Sequence, residues 1–226
     1  MTRGLFVAGT DTGVGKTVVG VALLRSLAAA GRSAIGMKPV ATGREEGSAL
    51  NADVVALMAA ANVAAPLADV NPYSFARPIA PHLAAREEGA AIDLDRICAA
   101  YARLAGLADA VVVEGAGGVR VPLGPGTEMI DIPVRLGLPV VLVVGIRLGC
   151  LNHALLSAQA LDARGVRMVG WVANRIDPAM GEGEANVGAL AERLTAPLVA
   201  DIGWCEDGPS SAPFDRTALA LLGFAP

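Results

Sequence analysis

Residues 9–17 read GTDTGVGKT. A glycine-rich turn that delivers Lys and Thr at the start of a helix is built to hold phosphate. Its backbone N–H groups point inward at phosphate oxygens, and the helix beginning near Lys16 adds its positive end. Lys16 can reach the β- and γ-phosphates, and the Thr17 hydroxyl can ligate Mg²⁺. The segment therefore predicts a site for the tail of a nucleoside triphosphate, ATP with Mg²⁺. It departs in one detail from G-x-x-x-x-G-K-[ST]: Thr10 occupies the usual first-glycine place, with Gly9 one residue earlier. Mg²⁺ takes oxygen ligands and few protein carboxylates. Glu114 closes the apolar run AVVVE, where an acid would face such a metal. Asp53, in NAD at a helix start, reads equally as a second ligand or as a helix cap. Lys38 is the other chemically distinctive residue. Of 18 basic residues only Lys16 and Lys38 are lysine, and a compact ammonium fits against a phosphate or carbamate as a planar guanidinium cannot. Thr42, four residues on, can donate a hydrogen bond to whatever Lys38 holds.

These residues need a scaffold that brings distant segments to one rim. Apolar runs and helical patterns alternate along the chain. Leu5–Gly9, Ser33–Lys38, Ala110–Val113, Pro139–Gly145, Arg167–Ala173 and Pro197–Ala200 read as strands. Val19, Leu23 and Leu27 recur at four-residue spacing on a helix that Gly31 closes, and Asn51–Ala61, Asp93–Leu107 and Leu151–Ala163 also read as helices. Val-rich strands without polar alternation, separated by helices, predict an α/β fold: a single-domain parallel sheet over residues 1–226 with helices on both faces, of the P-loop NTPase type. Carboxyl ends of such strands are where these sheets bind ligands. Residues 64–82 carry Pro66, Pro72, Pro78 and Pro81 and read as a long functional loop, and 203–216 as another.

Composition narrows the classes. Hydrophobic residues make up 54% and aromatics only 4%, so the core must come from Ala, Val, Leu and Ile, which suits helices packed closely on a parallel sheet. With net charge −4 and no basic block, nothing supplies the clustered cations that nucleic acid requires. The run Leu138–Ile146 is far too short to span a bilayer, and MTRGLFVAG leads straight into the glycine loop rather than reading as a signal peptide. Cys98, Cys150 and Cys205 are far apart, which argues against a disulfide framework and a zinc site and reads as small buried residues in a reducing cytoplasm.

GTDTGVGKT, MKPVATG, NPYSFARPIAPH, VEGAGG, LPVVLVVGIRLGCLNHALL and GWVAN occur in this order, and together they resemble the dethiobiotin synthase family over nearly the whole chain. The resemblance implies a ligase of biotin biosynthesis that adds CO₂ to an amine of 7,8-diaminononanoate (diaminopelargonate). The carbamate would be phosphorylated by ATP and closed to a cyclic urea by the second amine. It implies Lys16 and Lys38 as catalytic cations and Thr17, Asp53 and Glu114 as Mg²⁺ ligands. ATP would be held by Gly13, Val14, Gly15, Lys16, Thr17 and Val18, by Asp53, by Glu114, Gly115, Ala116 and Gly117, and by Asn174, Arg175, Gly203 and Trp204, with the Asn174 amide on the adenine edge. The backbone at Thr12, Thr42, Gly117 and Gly118 would touch the substrate. It further implies a homodimer in which Leu148, Gly149, Cys150, Leu151 and Asn152, opening a helix, receive the substrate carboxylate of the other subunit. His153 and His82 read as packed or capping residues.

Two departures stand out. Gly203-Trp204 replaces the family's Pro-Trp pair beside the adenine, and the family's acidic ribose contact falls at or near Ser210. Val119 and Arg120 stand where some members carry aromatics. Other readings of the phosphate loop meet obstacles. A partitioning-type switch ATPase places a signature lysine where this chain has Asp11. An amidotransferase ligase needs a glutaminase domain for which the chain is too short, and a small-metabolite kinase leaves MKPVATG and LGCLNH unexplained.

Overall fold

The computed structural model describes residues 3–44, 50–204 and 214–224. In chain order the elements are β1 Arg3–Gly9, α1 Lys16–Ala29, β2 Ala34–Met37, β3 Val40–Thr42, α2 Ala52–Ala60, α3 Leu67–Val70, β4 Tyr73–Phe75, α4 Pro81–Glu87, α5 Leu94–Ala105 and β5 Ala110–Glu114. There follow β6 Pro122–Gly124, β7 Thr127–Glu128, α6 Asp131–Leu136, β8 Val140–Ile146, α7 Cys150–Ala163, β9 Met168–Arg175, α8 Gly183–Ala191, β10 Leu198–Ile202 and α9 Arg216–Leu221.

Six strands form one sheet in the order β10-β9-β8-β1-β5-β2, every pairing parallel. Alternation of side chains across the pleat splits each central strand between two cores. Phe6 and Ala8, Val111 and Val113, and Leu142 and Val144 face one side with Ile97 and Leu104 of α5 and Ala154 and Leu161 of α7. Leu5 and Val7, Ala110 and Val112, and Val141 and Val143 face the other, against Leu23, Leu24 and Leu27 of α1 and Leu219 of α9. Burial on both faces explains why these strands are continuously apolar rather than alternating. β1 lies between β5 and β8, so the turns leaving β1, β5 and β8 emerge side by side at one rim.

The proline-rich segment is not the irregular loop its composition suggests. It contains α3, β4 and the start of α4. Its prolines mark boundaries: Pro66 is the N-cap residue of α3, Pro72 precedes β4, and Pro81 opens α4, a position where the missing N–H costs nothing. β4 pairs in parallel with β3, Val40 opposite Tyr73. Of the second predicted loop, residues 205–213, with Cys205 and Ser210, lie outside the described residues. Of the remaining cysteines Cys150 is buried, as expected, while Cys98 is only half-buried. No helix among the described residues is long and apolar enough to cross a membrane.

Candidate active site

The phosphate loop joins β1 to α1. Gly13 and Gly15 both take left-handed backbone angles, with φ +74° and +87°, a conformation L side chains rarely adopt. Gly15 also has no room for one, because a Cβ there would lie 2.0 Å from Asn174 Nδ2. That amide, on β9, donates to the Val14 carbonyl at 2.9 Å and braces the loop from behind. Thr10 N–H donates to Val143 O at 3.0 Å, extending the β1–β8 ladder into the loop. α1 then opens on Gly15 with no side-chain cap, leaving first-turn N–H groups for an anion.

Lys38 follows β2 and is 3% exposed. Its backbone is held by the proline-rich segment: its N–H donates to Val70 O at 2.8 Å, and its carbonyl accepts from Asn71 Nδ2 at 2.6 Å. The same Asn71 amide donates to Tyr73 O. With the backbone fixed, Nζ reaches Glu114 Oε1 at 2.5 Å, Asp53 Oδ2 at 2.8 Å and Gly115 O at 3.2 Å. Burial alone would lower the Lys38 pKa, but the Glu114 and Asp53 carboxylates outweigh it and hold the ammonium above its ordinary value. Asp53 is free to do this because the helix cap is Asn51, whose Oδ1 accepts from Asp53 N–H at 2.9 Å. Burial raises the Asp53 carboxyl, yet Lys38 more than compensates and its pKa is lowered.

Glu114, at the end of β5, is fully buried. Thr17 Oγ1 donates to its Oε1 at 2.8 Å, while Oε2 is buried with no hydrogen-bond partner. Burial pushes the carboxyl pKa up, with Lys38 opposing. The Glu114 carboxylate, the Thr17 hydroxyl on its Oε1 and the Asp53 carboxylate on the other side of Lys38 are all oxygen donors, the kind that suits Mg²⁺. Lys16 Nζ donates to Asp11 O at 2.8 Å. Burial, then the Lys38 ammonium, lowers its pKa to about 8, so at pH 7 it keeps its charge.

These groups line one cleft of about 680 Å³, together with Thr12, Gly13, Gly15, Thr42, Ala116 and Gly117. Pro78, Ile79, Ala80 and Pro81 add an apolar stretch to its lining. Other expected residues stand around the cleft rather than in it. Gly118 packs under the phosphate loop, where a Cβ would approach Thr10 O to 3.2 Å. Gly115 offers its carbonyl to Lys38, and Val14 is buried behind the loop. Arg175 is bidentate to Asp201 and also pairs with Glu184, and Trp204, beside Gly203, is 55% exposed after β10. Leu148–Asn152 does not line the cleft of its own chain: Gly149 caps α7 at φ +91°, Cys150 is buried, and Leu148 is 95% exposed. His153 is exposed on the first turn of α7 rather than packed, while His82 is half-buried with Nδ1 unpartnered. The sequence reading missed Asn51, Asn71 and Arg147. Asn51 carries a legible signal, an Asn before a helical pattern, whereas the roles of Asn71 and Arg147 appear only in three dimensions.

The chain matches the AAA domain family over residues 3–208. It is 53% identical over 199 residues to an ATP-dependent dethiobiotin synthetase BioD of Aromatoleum aromaticum, covering 87% of this chain and 88% of the relative. The chain belongs to the dethiobiotin synthetase family. A second member, from Xanthomonas oryzae pv. oryzae, is 46% identical over 92% of this chain and 93% of its own. Among solved structures, the septum site-determining protein MinD of Pyrococcus horikoshii, complexed with Mg-ADP, aligns over 100% of this chain and 87% of its own at TM-score 0.55 and 20% identity. That likeness establishes the P-loop NTPase fold, which the dethiobiotin synthetase family shares with proteins of other purposes.

Proposed function

We propose that this enzyme carries out the ATP- and Mg²⁺-dependent carboxylation and ring closure of 7,8-diaminononanoate to dethiobiotin, as one domain over residues 1–226. One amine takes up CO₂ and loses a proton, giving a carbamate. A carbamate oxygen attacks the γ-phosphorus and displaces ADP, forming a carbamic-phosphoric anhydride. The second amine then attacks the carbonyl carbon and loses a proton, and phosphate leaves as the cyclic urea closes. No step needs a protein nucleophile, only alignment and positive charge.

The observation that carries this reading is the convergence of both lysines of the chain, Thr17, Asp53 and Glu114 on one cleft. Lys16 swings from the Asp11 carbonyl to the β- and γ-phosphates, and Lys38 neutralises carbamate and γ-phosphate oxygens. Thr17, Asp53 and Glu114 hold Mg²⁺, which supplies charge neutralisation on the phosphates. Glu114 Oε2 supports that assignment, since it is otherwise a buried acceptor without a donor. Thr12, Thr42, Gly117 and Gly118 border the diamine, and the Asn174–Arg175 and Gly203–Trp204 segments border the base.

The substrate carboxylate is received by Leu148–Asn152 of the second subunit of a homodimer. That segment opens the 14-residue α7, whose N-terminus favours an anion, and Leu148 and Leu156 present exposed apolar surface beside it. Purified protein given ATP, Mg²⁺, bicarbonate and diaminopelargonate is expected to release ADP and phosphate in equal amount to cyclic urea. ATP turnover indifferent to the diamine would refute the proposal.

A further inference from the structure

Asp11 sits in the first turn of the phosphate loop, where a carboxylate repels the polyphosphate that the loop is shaped to bind. Its charge does not stand alone. Asp11 Oδ2 accepts from Arg147 Nη2 at 2.6 Å, Oδ1 accepts from Thr12 N–H at 2.7 Å, and its backbone carbonyl accepts from Lys16 Nζ at 2.8 Å. Arg147 lies one residue beyond β8, the strand next to β1, and its carbonyl accepts from Cys150 N–H at 3.0 Å at the start of α7. The guanidinium is thus anchored on a rigid turn and reaches across to the loop from the neighbouring strand.

We infer that Arg147 is a positioning residue for nucleotide binding: it neutralises Asp11 and fixes the turn of the phosphate loop that Asp11 and Thr12 form. An ordinary surface ion pair contributes little to stability, and both partners here are about two-fifths exposed. The pair matters through its place, because removing Arg147 leaves a bare carboxylate on the loop whose Lys16 and N–H groups receive the phosphates. This rests on the loop binding ATP.

The test measures affinity for a non-hydrolysable ATP analogue with Mg²⁺, by calorimetry, together with thermal stability. Arg147→Met is expected to weaken binding about tenfold, the size of effect one uncompensated charge on the loop produces, with the melting temperature little changed. Arg147→Lys keeps most of the affinity. Adding Asp11→Asn to Arg147→Met should restore affinity to within about threefold of wild type, because the repulsion disappears with the charge. A purely structural pair would lower the melting temperature without this rescue. Unchanged affinity in Arg147→Met, or no recovery in the double variant, overturns the inference. Wild-type protein that fails to bind the analogue overturns the reading of the loop and this inference with it.

Discussion

Lys38 is gripped on three sides by oxygen, from Glu114, Asp53 and the Gly115 carbonyl, and is itself almost wholly buried. An ammonium can change partners in such a space by rotating about its stem, exchanging carboxylate for substrate oxygen without moving its backbone. A guanidinium is planar, wider and always charged, and cannot occupy the same point. Lys38→Arg is therefore expected to lower kcat about 100-fold or more while changing ATP affinity less than about threefold. Steady-state kinetics with an independent measurement of nucleotide affinity separate the two, and a variant with near-normal kcat would defeat the argument. The scarcity of lysine, with only two in the chain, pointed to this residue in the sequence. Its partners were harder to foresee. Asp53 read equally well as a metal ligand or a cap; the cap of α2 is Asn51, two residues before it, and the aspartate side chain meets Lys38.

At the scale of elements, the segment between α2 and α5 is where sequence reading and structure part most. Proline density is a sound sign of interrupted structure, but it does not say how short the intervening pieces are. Here they are a single turn of helix, a three-residue strand and the seven-residue α4, and the junction of the first two holds Lys38. Asn71 joins the Lys38 and Tyr73 carbonyls through one buried amide. Asn71→Ala strands both acceptors and is expected to cost about 2 kcal/mol of stability, measured by urea unfolding, with a fall in kcat as Lys38 loosens. A loss below about 0.5 kcal/mol would show that water replaces the amide and that the tether is dispensable. The long strands and helices, by contrast, were legible to within a few residues, since continuous Val-rich runs and four-residue spacing leave little choice.

For the whole molecule, the fold alone does not decide the activity. A septum site-determining protein MinD shares the fold at 20% identity, while the relatives sharing about half the residues are dethiobiotin synthetases. On the rim of this chain Asp11 pairs with Arg147, and Lys38 lines the cleft together with the phosphate loop. The cleft of one chain also lacks the Leu148–Asn152 segment. If a second subunit supplies it, Leu148→Glu should yield a monomer by analytical ultracentrifugation. ATP affinity per chain should hold, and dethiobiotin formation should fall at least about tenfold, as expected for a residue central to an interface. A variant that stays dimeric, or a monomer with full activity, would contradict the interfacial arrangement.

By itself the sequence determined the phosphate loop, the parallel sheet and the family, because these rest on local spacing and on apolar runs that allow one burial pattern. Lys16, Thr17 and Glu114 could be placed on one rim from their positions at the ends of predictable elements. Only the tertiary structure decided who meets whom. Lys38 and Glu114 are 76 residues apart, Arg147 and Asp11 136 apart, and Asn174 and Val14 160 apart. Those pairings depend on strand order, which places β1 between β5 and β8, and strand order is settled by packing between distant segments rather than by any one of them.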